Sequence, residues 1–195
     1  PFASLTKAIG ASGAALPGDT IFVAPGVYRG QVAVGVSGAA GNIIQVLGDP
    51  GNAQGFKDLS GNLLSAGEVR LTTYTDDKSL PPNGFALNHG GASYLSYSRL
   101  WLMGGVGAGY GAVQIWTGSH DISFSDCVLS QGCPTSNGYQ VVLVRNTTTQ
   151  SVLNVSFDRC VFVPQGNVSL NVQLYKLASG GDYNAGVSVT NCLFM

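Results

Sequence analysis

Four stretches of the sequence align residue for residue: Leu95-Ser-Tyr-Ser-Arg-Leu-Trp-Leu102, Ile122-Ser-Phe-Ser-Asp-Cys-Val-Leu129, Val155-Ser-Phe-Asp-Arg-Cys-Val-Phe162 and Val187-Ser-Val-Thr-Asn-Cys-Leu-Phe194. Apolar residues stand at the first, third, sixth and eighth positions of each, with serine always second. The opening alternation has the two-residue period of a strand with one buried face. A corner follows, read at Arg99, Asp126, Arg159 and Asn191, and a second short strand leaves it. A further strand-like run precedes the repeats, at Gly84 to Asn88, Gly111 to Trp116, Tyr139 to Val144 and Leu170 to Leu177. Each repeat therefore holds about three short strands, and no helical pattern intervenes to make the crossovers of a doubly wound sheet. Stacking each strand in parallel on its counterpart one repeat later, ~4.8 Å away, satisfies the pattern and turns each column of like side chains into a ladder.

Composition narrows the function classes. Nine lysines and arginines against ten aspartates and glutamates leave a net charge of -1, too little positive field for nucleic acid or anionic lipid. Glycine supplies 28 of the 195 residues and charged residues only 10%, the mark of a turn-rich chain with a weakly charged surface. No apolar run approaches the ~20 residues of a membrane span. The chain opens at Pro1 and stops at Met195 just after a strand-like segment, so it is expected to be an excerpt of, or processed from, a longer chain.

The segment Pro17-Gly-Asp-Thr-Ile-Phe-Val-Ala-Pro-Gly-Val-Tyr-Arg-Gly30 resembles the opening coil of the pectin-lyase-like right-handed parallel β-helix superfamily. Ser37-Gly-Ala-Ala-Gly-Asn-Ile-Ile-Gln-Val-Leu-Gly-Asp-Pro-Gly51 resembles its second coil, and Phe2-Ala-Ser-Leu-Thr-Lys-Ala-Ile9 the short amphipathic helix that caps such coils. The expected fold class is all-β: a right-handed parallel β-helix of about six coils with a short N-terminal capping helix. One domain is expected over 1–195, with a capping segment at 1–16 and coils over 17–195.

Cys127, Cys160 and Cys192 share one interior column, which reads as a ladder of small hydrophobes. Side chains that point alongside one another at ~4.8 Å lie beyond the ~3.5–4.5 Å between the Cβ atoms of a disulfide, so free thiols are expected. Cys133 stands apart in the loop 130–138, and no Cys/His spacing suggests a metal. Neither metal nor cofactor is expected. At the corner, Arg99, Asp126 and Arg159 are placed to stack as an ionic ladder, at a position where members of the resembled family often carry asparagines.

Two outward-facing sets are candidates for binding. Trp101, Val128, Val161 and Leu193 follow the inward cysteine column by one residue, forming an apolar stripe that suits an interface with another subunit. Gln114 and Trp116 alternate with inward Val113 and Ile115; His89 is aligned with Trp116, and Tyr175 lies further along. Aromatic faces beside amides hold sugar rings, because ring CH groups stack on the aromatic while amides bond the hydroxyls. These four residues are the candidate carbohydrate contacts.

The resemblance implies either calcium held by clustered aspartates with a basic residue, or paired carboxylates cleaving glycosidic bonds. Asp76-Asp77 is the only adjacent acidic pair, beside Lys78 and Pro81-Pro82 in what reads as a loop, and Asn88-His-Gly-Gly91 lacks the basic element of the family's hydrolase motifs. No catalytic residue is assigned. The expectation is a non-catalytic structural or binding module of an extracellular or virion surface assembly, a homo-oligomer or larger array, with polysaccharide as a candidate ligand. The alternative is a fragment of a polysaccharide lyase or glycoside hydrolase.

Overall fold

The computed structural model describes residues 4–74, 84–105, 110–116, 118–131, 140–145, 152–163, 170–175 and 185–195. Asp76, Asp77 and Cys133 lie outside them. A five-residue helix, α1 (Leu5–Ile9), starts the described chain. Ser4 caps it with its side chain toward the Lys7 N–H, and Leu5, Ala8 and Ile9 are buried. The strands then come in sets of three. The first set is β1 (Thr20–Val23), β2 (Gly26–Arg29) and β3 (Val32–Val34), and the second β4 (Ile44–Gly48), β5 (Val69–Thr72) and β6 (Leu87–Gly90). The third is β7 (Leu95–Ser98), β8 (Trp101–Gly104) and β9 (Val113–Trp116), and the fourth β10 (His120–Ser125), β11 (Val128–Gln131) and β12 (Gln140–Arg145). The fifth is β13 (Leu153–Asp158), β14 (Val161–Val163) and β15 (Leu170–Tyr175), and the last β16 (Ala185–Thr190) and β17 (Leu193–Phe194).

Every strand pairs in parallel with its counterpart one set later. The result is two six-stranded sheets, β1-β4-β7-β10-β13-β16 and β2-β5-β8-β11-β14-β17, and a five-stranded sheet, β3-β6-β9-β12-β15. This is a parallel β-helix of six coils. Crossovers between parallel strands run right-handed as a near-universal rule, and the coil is read in that sense. The runs expected ahead of the repeats are strands, with β6 and β9 starting at Leu87 and Val113 rather than at Gly84 and Gly111.

The core is a set of ladders. Leu95, Ile122 and Val155 are aligned by strand pairing and buried, as are Tyr97, Phe124 and Phe157. Those three rings stack with centroids 5.0 Å apart at both steps. Leu100, Cys127 and Cys160 are buried and Cys192 is partly so, and all three cysteines are free thiols. At the corner, Arg99, Asp126, Arg159 and Asn191 all have φ between 51° and 55°. This left-handed step turns the chain between sheets, and asparagine and aspartate adopt it more readily than other residues with a side chain. Arg159 donates to both carboxylate oxygens of Asp126, at 2.7 and 2.9 Å, and to Asp158, which also accepts from Thr190 and Asn191. Arg99 acts on Asp126 through its charge.

Between β4 and β5 the chain makes an ordered excursion. The Asp49 carboxylate accepts from the Ala53 and Gln54 N–H groups, and the Asn52 amide donates to the Phe56 and Leu64 carbonyls. These bonds close the excursion upon itself, so β5 still stacks on β2 in register.

Candidate functional site

The third sheet carries the carbohydrate candidates, and its register differs from the expected one. Leu87 pairs with Val113, Asn88 with Gln114, His89 with Ile115 and Gly90 with Trp116. His89 thus stands on the inward face, in a column with Val34 and Ile115, fully buried with its ring edge-on to Tyr97 at 5.4 Å. Its expected position beside Trp116 is corrected. Leu95 pairs with Ile122, an offset of 27, whereas Leu87 pairs with Val113, an offset of 26; between the paired positions the chain has one residue more from Trp116 to Ile122 than from Gly90 to Leu95. A one-residue slip moves a side chain to the opposite face.

Burial also pushes the His89 pKa down to about 3, since a charged imidazole has no compensating partner in the apolar interior. Neither ring nitrogen has a hydrogen-bond partner, nor does the buried Tyr97 hydroxyl.

Gln114 alternates with buried Val113 and Ile115 as expected, yet only 9% of it is exposed. Trp116 is partly exposed. A Cβ added to Gly90 would come within 3.4 Å of its indole Nε1, so the ring lies over the glycine of the preceding coil. The pairing continues Trp116 to Arg145 and Arg145 to Tyr175. Trp116, Arg145 and Tyr175 therefore occupy one column, beside a second formed by Asn88, Gln114, Leu143 and Gln173. Arg145 was not among the expected contacts because the strand-like run reads as ending at Val144, one residue before the position that pairs with Trp116.

On the second sheet, the expected stripe forms one column by pairing: Trp101, Val128, Val161 and Leu193. The first three are partly exposed and Leu193 is 57% exposed. Arg70 precedes Trp101 in the column, its guanidinium 5.1 Å from the ring centroid, and the indole Nε1 donates to Ser130 Oγ at 2.7 Å. The tryptophan end is thus held by local polar contacts, while Val128 and Val161 contribute apolar surface.

Each described carboxylate has a local partner. Asp19 accepts from the Leu16 N–H, Asp58 from Ser60 and Asn62, and Glu68 pairs with Arg70. Asp121 receives His120 Nδ1 at 2.8 Å and Asn154 Nδ2 at 3.1 Å, bonds that hold its pKa below the usual carboxylate range. His120 also meets the Tyr94 ring edge-on at 4.9 Å. Among the described residues, no group of three or more histidine, cysteine or acidic side chains converges to hold a metal. None of the described helices is long and apolar enough to cross a membrane.

No family model and no curated relative matches the sequence. Among solved structures, the chain is similar to the A-module of the mannuronan C-5 epimerase AlgE4 from Azotobacter vinelandii. Identity is 11% and the TM-score 0.43, with 92% of this chain and 52% of that one covered. It is also similar to a proposed glycosyl hydrolase from Parabacteroides merdae, at 12% identity and TM-score 0.40, over 97% and 96% of the two chains. The chain spans about half the length of the epimerase module. The fold is a parallel β-helix. It is established by this chain's own strand pairing.

Proposed function

We propose that the chain is a non-catalytic β-helix module of an extracellular or virion surface assembly, contacting copies of itself or a neighbouring subunit through the outer face of the second sheet. The observation that carries this reading is the single column Trp101, Val128, Val161 and Leu193, partly to substantially exposed on a rigid sheet. Aligned apolar side chains present a continuous strip whose burial is favourable at ~25 cal/mol per Å². The alternative is a fragment of a polysaccharide lyase or glycoside hydrolase; cleavage of an acidic polysaccharide that is lost on replacing Asp76 and Asp77 would favour it.

The third sheet favours a second reading as a carbohydrate contact. Its column of Trp116, Arg145 and Tyr175 beside Gln114 and Gln173 sets aromatic, cationic and amide residues in adjacent rows. Light scattering of the native protein at two concentrations, in reducing buffer, tests the assembly. A stable multiple of the chain mass is expected, falling to the monomer on Val128→Asp with Val161→Asp while the far-ultraviolet circular dichroism stays unchanged. A monomeric parent protein would overturn the assembly reading, and glycan-array binding lost on Trp116→Ala would then favour the second.

A further inference from the structure

The chain has two histidines, and they sit in opposite surroundings. His120 stays partly exposed at a corner beside Asp121, whereas His89 is enclosed by the coil. Its column neighbours are Val34 in coil 1 and Ile115 in coil 3, and its ring stands at 88° to that of Tyr97 in coil 3. None of these neighbours is charged. Tyr97 is the one that titrates, and burial pushes its phenol up, so it stays neutral in acid.

The core ladders break at the same place. Tyr97, Phe124 and Phe157 stack within 13° of parallel. The residue paired with Tyr97 in coil 2 is Val46, so the aromatic ladder ends at the boundary between coils 2 and 3. His89 Nδ1 and Nε2 and the Tyr97 hydroxyl are buried at that boundary without a protein partner, which weakens it relative to boundaries filled by apolar contacts. Backbone bonds cross it from each of the three strands of coil 2 or the residue next to one: Ile44 N–H to Tyr94 O at 3.1 Å, Thr73 N–H to Met103 O at 3.2 Å and Leu87 N–H to Ala112 O at 3.1 Å.

We propose that the boundary between coils 2 and 3 is an acid-operated joint: protonation of His89 opens it and parts the block of α1 and coils 1 and 2 from the stack of coils 3 to 6. Three sheets wall the interior, so water reaches the imidazole by separation of coils along the axis. The side toward coil 3 is where the aromatic ladder ends and the unpartnered polar atoms lie. In the closed joint a charged imidazole has neither a counter-charge nor a hydrogen bond. Once exposed, His89 titrates at its ordinary 6.5; enclosed, it is pushed down to about 3. The open form thus binds more protons between these values, and the closed joint, favoured in full above pH 6.5, loses ground as pH falls toward 3. From pH 7 to pH 5 the open population should rise about 25-fold. At pH 5 the corner carboxylates of Asp121, Asp126 and Asp158 keep their charge, because hydrogen bonds from their neighbours hold them below the usual range.

The test is amide hydrogen exchange by NMR on the full chain at pH 7 and pH 5, with rates corrected for the intrinsic effect of pH. The amides of Ile44, Thr73 and Leu87 report the joint. Those of Tyr94, Arg99 and Ala112, which bond from coil 3 to coil 4, report the next boundary. Opening at the first set should rise about 25-fold at pH 5 and at the second less than about threefold, and His89→Leu should abolish the difference. No rise at the first set, an equal rise in both sets, or a rise that survives in His89→Leu would each overturn the proposal. Should His89→Leu fail to fold, the pH profile of the parent protein decides: a rise that starts only below about pH 4 belongs to carboxylates and rejects the joint.

Discussion

At His89, one residue of offset decides between a ligand contact and a core side chain. In the unfolded chain its imidazole takes up a proton below the ordinary 6.5, whereas in the fold burial holds it neutral down to about 3. Between these values the unfolded state binds more protons, so the contribution of neutral His89 to stability is complete above pH 6.5 and is lost as pH falls toward 3. Tyr97 is the titratable group that meets it in the core, and burial pushes that phenol up, away from this range. His89→Leu, which suits a column containing Val34 and Ile115, is expected to flatten the dependence of stability on pH by up to about 1.4 kcal/mol per pH unit across the window. Urea denaturation at pH 7 and pH 4 measures it, and an unchanged slope in the variant would assign the acid sensitivity to other groups. The alternation that turned Val113 and Ile115 inward was legible in the sequence. The placement of His89 was not, because the extra residue lies between Trp116 and Ile122, where no apolar pattern marks the register.

The element that carries the coil is the left-handed corner, and each repeat has two. Besides Arg99, Asp126, Arg159 and Asn191, a second set at Tyr94, Asp121, Asn154 and Gly186 takes positive φ five residues earlier in every copy. Both ends of each first-sheet strand in coils 3 to 6 are thus set by the same backbone step. The first column was legible as a corner because a polar residue interrupts apolar alternation four times over. The second was not, since Tyr94 is a poor signal for this conformation even though aspartate, asparagine and glycine follow it in the column. The ionic contacts at the first corner are exposed and weak, so its demand on the sequence is conformational. Asp126→Val should cost about 1–2 kcal/mol, because a β-branched side chain is strained at φ 53°. Asp126→Gly should cost less, although it removes the Arg159 partner equally. Denaturant midpoints of the two variants decide this, and equal losses would show that the ion pair dominates.

At the scale of the molecule, the coils stack along one axis and each is stabilised by its neighbours, so stability is approximately a sum of nearest-neighbour terms. Coils 3 to 6 were legible because their ladder columns repeat in the sequence. Coils 1 and 2 could be read only by resemblance, since the excursion between β4 and β5 breaks the spacing without breaking the stacking. The two ends of the stack differ. Helix α1 covers coil 1 with buried Leu5, Ala8 and Ile9, whereas Phe194 is 50% exposed although Phe162, one coil below, is fully buried. A coil packed on both sides opens only when two interfaces are lost, and one packed on a single side opens when one is lost. Amide hydrogen exchange on the 195-residue chain should therefore be slowest in β7, β8, β10 and β11, intermediate in β1 and β2, and at least tenfold faster in β16 and β17 than in β10. Exchange at one common rate through all six coils would mean that the solenoid opens as a single cooperative unit, with the side-chain ladders coupling the coils more strongly than pairwise stacking does.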